Sequence, residues 1–247
     1  VCAGFLTRFQ AQAAATLPYS QTFDTANDFT FVNGTQTNKW FYGTNFGNPD
    51  GAIYISNNNG AANAYTISSS SVVHAYRDLA IPAGTTAANT ATLSFNWKAQ
   101  GESTWDYIRV WMVPATFTPT AGTQITAGAG RIQIGGNINQ QGTWQTYSNT
   151  TINVSSFAGA TMRLVFEWRN DSSGGTQPPA AIDNVDFLIP TCSAPTNLAT
   201  GTITTTNATL NWNAITPAPA NGYQNYISTS STPPSAATTP TGTSATN

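Results

Sequence analysis

A carboxylate set inside an apolar strand is the first residue of this chain that asks for a chemical explanation. Asp183 lies in residues 181–187, AIDNVDF, between Ile182 and Val185. An ionised group there is costly to bury unless something pairs with it. Asp186 follows on the same segment. Asp24, directly after Phe23, and Asp28 sit in the opening LPYSQTFDTANDF, and Asp50 in the turn sequence NPDG. Glu102 and Asp106 form a second acidic pair, of the kind that divides acid and nucleophile roles in a glycosidase. They flank a turn rather than share a strand face, which points to a solvated or metal-binding loop. The single histidine, His74, is embedded in VVHAYRDL, whose alternation makes it a packed or surface strand residue rather than a general base. Glu167 stands beside Arg169, and a strand salt bridge accounts for it. No G-x-S-x-G, no H-E-x-x-H and no phosphate-cradling glycine loop with lysine occurs. These residues do not make an enzyme.

Three tryptophans offer a different chemistry, stacking against a sugar ring. Trp105 lies in a turn, and Trp111 and Trp144 lie on strands whose outer face would present them. Core packing is the competing role for both strand residues.

The elements that position these groups are strands. Residues 160–187 read as two strands joined by one polar loop. Leu164, Phe166 and Trp168 share one face at period two, and Ala181, Ile182, Val185 and Phe187 return the chain to an apolar layer. Between them, residues 170–179 are dense in the Asn, Asp, Ser, Gly and Pro that loops demand. Earlier strands are KWFY, AIYIS, VVHAYRDLAI, ATLSFNWKAQ, DYIRVWMV, RIQIGG and TWQTYSNTTINV, each bounded by turn residues. No stretch holds a helical period. The expected fold is all-β, a jelly-roll antiparallel sandwich over residues 14–190.

Only 7% of the residues are charged, against roughly 25% in an ordinary soluble domain. A surface solubilised by Thr, Asn, Ser and Gly fits an extracellular β protein. A net charge of −2 supplies no basic field for nucleic acid, and no run approaches the ~18 apolar residues of a membrane span. Residues 1–13 end in Ala11-Gln12-Ala13, a small-x-small pattern, and read as the remnant of a signal peptide. Its removal would leave Cys192 without Cys2, so no disulfide within the chain is expected. After Pro190 the texture changes. Residues 191–247 hold a Pro-anchored strand, then Ala208, Leu210 and Trp212 in alternation, then GYQNYIS, then a polar run from Thr229 without strand pattern. They resemble the first half of a fibronectin type III domain, an immunoglobulin-like sandwich that needs about 100 residues. The second domain is therefore expected to be truncated.

Five segments together carry a wider resemblance. They are YSQTFD, the Trp40 strand with its Gly-rich loop, SFNWKAQGESTWDYIRVWMV, FAGATMRLVFEWRND and PPAAIDNVDF. Over residues 17–189 they resemble the MAM-like jelly rolls, in particular the cleaved-adhesin and choice-of-anchor modules of secreted Bacteroidota proteins, with the gingipain adhesin domains as relatives. AIDNV is the most specific element, and the lack of the cysteines of animal MAM domains favours the bacterial branch. The resemblance implies a structural calcium where the first and last strands meet, held by Asp24 and Asp183. Calcium takes six to eight oxygens, so carbonyls, amides or water must complete the set. Asp50 is a candidate third ligand, with Asn57 and Asp28 weaker.

The expectation is thus a secreted or cell-surface, calcium-stabilised module of a larger protein. It would adhere to glycans or extracellular proteins through Trp105, Trp111 and Trp144, without catalysis. A spacer or targeting role beside a secreted hydrolase is the alternative.

Overall fold

Alternation at period two decides which side chains meet. In β6 (Ala91–Ala99), Ala91, Leu93, Phe95, Trp97 and Ala99 are buried, and the residues between them are part-exposed. The computed structural model describes residues 12–87, 89–190, 195–215, 222–226, 232 and 238–244. Contacts divide the chain into two units, Val1–Pro190 and Thr191–Asn247.

In the first unit β1 (Tyr19–Gln21), β2 (Thr30–Val32), β3 (Lys39–Gly43), β4 (Ala52–Ser56) and β5 (Ser71–Ala80) precede β6. After it come β7 (Tyr107–Pro114), β8 (Ile132–Ile138), β9 (Gln141–Ile152), β10 (Thr161–Asn170) and β11 (Ala181–Leu188). One sheet runs β2-β5-β10-β7-β8 and the other β3-β4-β11-β6-β9, with β1 also paired to β11. All of these pairings are antiparallel. This is the jelly-roll sandwich that the strand pattern predicts, and among the described residues no α-helix interrupts it.

The core lies between the sheets. Leu164, Phe166 and Trp168 meet Phe95, Ile182, Val185 and Phe187 there, with Trp40 and Trp97. Phe166 packs edge-on against Phe95 at 5.0 Å between centroids. Each of these rings buries on the order of 150–250 Å² and dominates the packing. A smaller cluster of Trp111, Val113, Ile125 and Val165, joined by Tyr76 and Phe117, forms on the outer side of the first sheet.

The second unit holds β12 (Thr196–Ile203) paired with β13 (Ala208–Asn213), and β14 (Tyr223–Asn225) paired with β15 (Gly242–Ser244). Trp212 packs edge-on against Tyr223 at 5.5 Å. Of the segment GYQNYIS, Tyr223–Asn225 is strand, and residues 227–228 lie outside the described residues. β15 arises at the end of the polar run, where the sequence shows no alternation, because main-chain pairing with β14 needs none. The signal-peptide reading of residues 1–13 and both cysteines fall wholly or mostly outside the described residues.

Candidate functional site

Asp183 sits where β11 changes neighbours. Upstream, Ala181 and Ile182 pair with β4; downstream, Val185 to Phe187 pair with β1. The β11–β6 register shifts between Asp183 and Asp186, and Asn184 adopts φ +49. A left-handed non-glycine residue at such a bulge costs energy and persists where surrounding structure enforces it. Phe23, just before Asp24, is likewise at φ +57 and fully buried. The Asp183 carboxylate is 1% exposed and accepts backbone N–H bonds from Asn48 and Asn184, each at 2.6 Å. Burial pushes its pKa up to about 6 against these two hydrogen bonds, and the charges of Asp24 and Asp50 push in the same direction as burial. All three sequence-designated acidic residues thus come to one neighbourhood. Gly51 closes it: a Cβ there would stand 1.8 Å from the Phe23 carbonyl oxygen. Asp24 and Asp50 are exposed, and the oxygens of Asp24, Asp50 and Asp183 do not all lie within 4.8 Å of one another.

A tighter acidic group lies in the loops that join β6 to β7 and β10 to β11. Oxygens of Glu102, Asp106 and Asp171 all lie within 4.8 Å of one another, the one such group of three among the described residues, and it could hold a metal ion. Asp106 is 1% exposed and accepts from the Tyr65 hydroxyl at 2.6 Å and the Asp171 N–H at 3.1 Å. Burial raises its pKa despite those bonds. Glu102 Oε2 is buried without a hydrogen-bond partner. The β10–β11 loop packs directly on these carboxylates. A Cβ on Gly174 would stand 2.5 Å from Glu102 Oε2, and one on Gly175 2.4 Å from Asp106 Oδ2. A glycosidase pair needs room between its carboxyl groups for a sugar and water, and the loop occupies that room. Of this group the sequence reading singled out Glu102 and Asp106; Asp171 it missed, since a polar loop shows no pattern that would mark one aspartate.

The outer side of the first sheet is closed. There Glu167 stands opposite His74 of β5 and Arg109 of β7. It accepts from Arg109 Nε at 2.8 Å and from the Ile125 N–H at 2.7 Å, and contacts His74 Nε2 at 3.2 Å. Both Glu167 and His74 are fully buried. Burial would raise the Glu167 pKa, but His74, the Ile125 N–H and Arg109 outweigh it and hold the carboxyl below its ordinary value. The expected strand salt bridge of Glu167 is present, and its partners are the cross-strand neighbours Arg109 and His74 rather than the adjacent Arg169. The segment between β7 and β8 covers this network, with Arg163 donating to the Phe117 carbonyl and Arg109 to that of Ile125. Trp111 lies beneath it, 2% exposed. It was expected as a ring offered to sugars; it is on the outer face, but the covering segment fills the space where a sugar would stack.

The outer side of the second sheet is different. Ser94, Asn96 and Lys98 alternate outward along β6, and Trp144, Thr146 and Ser148 along β9. Thr146 and Ser148 are exposed, and the others are part-exposed. The Thr146 hydroxyl bonds the Asn96 amide oxygen at 3.1 Å, and Lys98 Nζ lies 5.0 Å from the centre of the Trp144 ring. Trp105, 48% exposed, stands apart at the end of the sandwich, its ring under the Arg169 guanidinium at 5.3 Å.

The chain matches no protein-family model and no curated protein. Its fold is similar to the K1 cleaved adhesin domain of Lys-gingipain from Porphyromonas gingivalis W83, at TM-score 0.40 and 17% identity over 70% of this chain and 98% of that one. It is also similar to the CBM22-2 xylan-binding domain of Paenibacillus barcinonensis Xyn10C, at TM-score 0.41 and 14% identity over 70% and 99%. A third is a family 30 carbohydrate-binding module of Clostridium thermocellum, at TM-score 0.40 and 10% identity over 70% and 99%. The likeness extends to the β-sandwich and no further.

Proposed function

We propose that this chain is a non-catalytic carbohydrate-binding module of a secreted or cell-surface protein, acting in adhesion to glycans or glycoproteins. The outer side of the second sheet carries the reading. It presents amides, hydroxyls and one tryptophan on a firmly packed strand pair, with few charges. Sugar rings are recognised by that combination: an aromatic face for C–H groups and neutral donors and acceptors for hydroxyls. Trp144 is the central contact, and Trp105 contributes a second contact from the end loops. Trp111 takes no part.

Calcium is the structural cation of the reading, held by Asp24, Asp50 and Asp183 with backbone carbonyls beside them. It would neutralise these carboxylates and fix the β3–β4 loop against β11. Residues 191–247 are read as part of a fibronectin type III sandwich, supported by the β12–β13 hairpin and the Trp212–Tyr223 contact.

The test is affinity electrophoresis against a panel of soluble plant and bacterial polysaccharides, with calcium present. Retardation by at least one polysaccharide, lost in Trp144→Ala, is the expected result. A panel without retardation, or retardation indifferent to both Trp144→Ala and Trp105→Ala, overturns the proposal.

A further inference from the structure

Lysine and arginine are scarce in this chain, and three of the described ones are paired with carboxylates. Arg77 pairs with Asp28, Arg109 with Glu167 and Arg163 with Asp78. Lys98 is different. Among the described residues its ammonium has no carboxylate within 4.0 Å, and it rests instead on the Trp144 ring. Its pKa is lowered by burial alone, with no nearby carboxylate offsetting the loss of water. The nearest acidic positions on the same face are Asp183 and Asp186, one strand away, at the levels of Asn96 and Ser94. A partly desolvated cation without an anion is an unfavourable arrangement in the free protein. Its side chain lies between fully buried Ala181 and Trp144, with the ammonium over the Trp144 ring.

We infer that Lys98 on Trp144 receives the carboxylate of an acidic sugar, so that the glycan bound by this face carries hexuronic acid. The inference rests on the glycan-binding reading of the second sheet and names its ligand class. One cation amid the neutral Asn96, Thr146 and Ser148 matches one carboxylate on a sugar ring whose remaining polar groups are hydroxyls. A polyphosphate or densely sulfated chain would need several cations, and the net charge of −2 works against it.

Isothermal titration of the 247-residue protein tests this with trigalacturonate and with a glucuronate-bearing xylotetraose, each against its carboxyl-reduced form. A sulfated maltotetraose, which carries no uronate, serves as the polyanion. For at least one pair, the acidic form should bind about tenfold more tightly than the reduced one. That preference should shrink as sodium chloride rises, since exposed charge pairs are screened. Lys98→Gln should abolish the preference while leaving the reduced sugar's affinity in place, and Lys98→Arg should keep it. Equal binding of acidic and reduced forms, or a preference that survives Lys98→Gln, overturns the inference. If Trp144→Ala still removes binding in that case, the glycan-binding reading stands without it. Tighter binding of the sulfated maltotetraose than of either uronate also overturns it. Absence of binding to every probe removes the inference and counts against the reading beneath it.

Discussion

The two outer faces of the sandwich have similar strands beneath them and opposite fates. On the first sheet, the segment between β7 and β8 lies across the strands and buries Trp111, Val165 and the Glu167–Arg109–His74 network. On the second, Trp144, Thr146 and Ser148 of β9 remain in reach of solvent. The difference lies in where charge is spent. The covered face uses Glu167, Arg109, Arg163 and Asp78 as internal partners, so its charges are paired within the protein, although His74 Nδ1 and Trp111 Nε1 are buried there without a hydrogen-bond partner. The open face leaves Lys98 without a carboxylate and its hydroxyls facing outward. A face that is covered and whose charges are already paired can stabilise but has little left with which to recognise; the other keeps its polar groups in reach of solvent.

The largest effect expected from breaking this contrast is at Glu167. Removing one partner of a buried charge network leaves the others uncompensated, at a cost of about 3–5 kcal/mol. Glu167→Ala should lose that much in urea unfolding, and Glu167→Gln less. An unchanged midpoint for Glu167→Ala would show that the network adds nothing. Trp111→Ala comes next, at about 3 kcal/mol, because it empties a packed site under the covering segment. Glycan affinity measured at temperatures where both variants remain folded should be unaltered. A loss of affinity in Trp111→Ala would return that residue to the binding site.

How much of this was legible in advance follows from range. Strands such as AIYIS and DYIRVWMV announce themselves because alternation is local, and the inward set Leu164, Phe166 and Trp168 follows from it. The Asp183 neighbourhood was legible through one short motif beside the opening strand. The partners of Glu167 were not. Arg169 is two residues away on the same side of the strand, a spacing of roughly 7 Å, whereas Arg109 and His74 arrive opposite Glu167 only through the register of three strands. Trp111 was misjudged for a related reason. Its exposure depends on residues 115–131 folding over the sheet, and in that polar stretch only Phe117 and Ile125 hint at an apolar contact.

Asp183 supplies the next prediction. Its folded pKa of about 6 lies above the ordinary 3.8, so without a cation the folded state binds the proton more tightly. Stability should therefore fall as pH rises from about 4 through about 6, and a cation should compete with that proton. At pH 7.5, calcium at a hundredfold excess over its Kd should add about 2.7 kcal/mol, a shift of several degrees by differential scanning fluorimetry against chelator. At pH 5 the shift should be smaller. Asp183→Asn should erase it; if the shift persists in that variant, the cation sits elsewhere, with Glu102, Asp106 and Asp171 as the alternative group.

The smallest expected change in stability is also the sharpest probe of the contrast. Trp144 shares its type and its place on a strand with Trp111, but its ring is covered on one side by a single lysine. An exposed cation–π contact contributes roughly 0.5–1 kcal/mol, and little apolar area is lost to water when such a ring is truncated. Trp144→Ala should therefore unfold within about 1 kcal/mol of the parent while losing tenfold or more in glycan affinity. The pairing matters more than either value. If Trp144→Ala destabilises as much as Trp111→Ala, β9 is part of the structural core and the face is not spare. If it does neither, the open side of the second sheet is only a solvated surface, and recognition must be sought at Trp105 among the end loops.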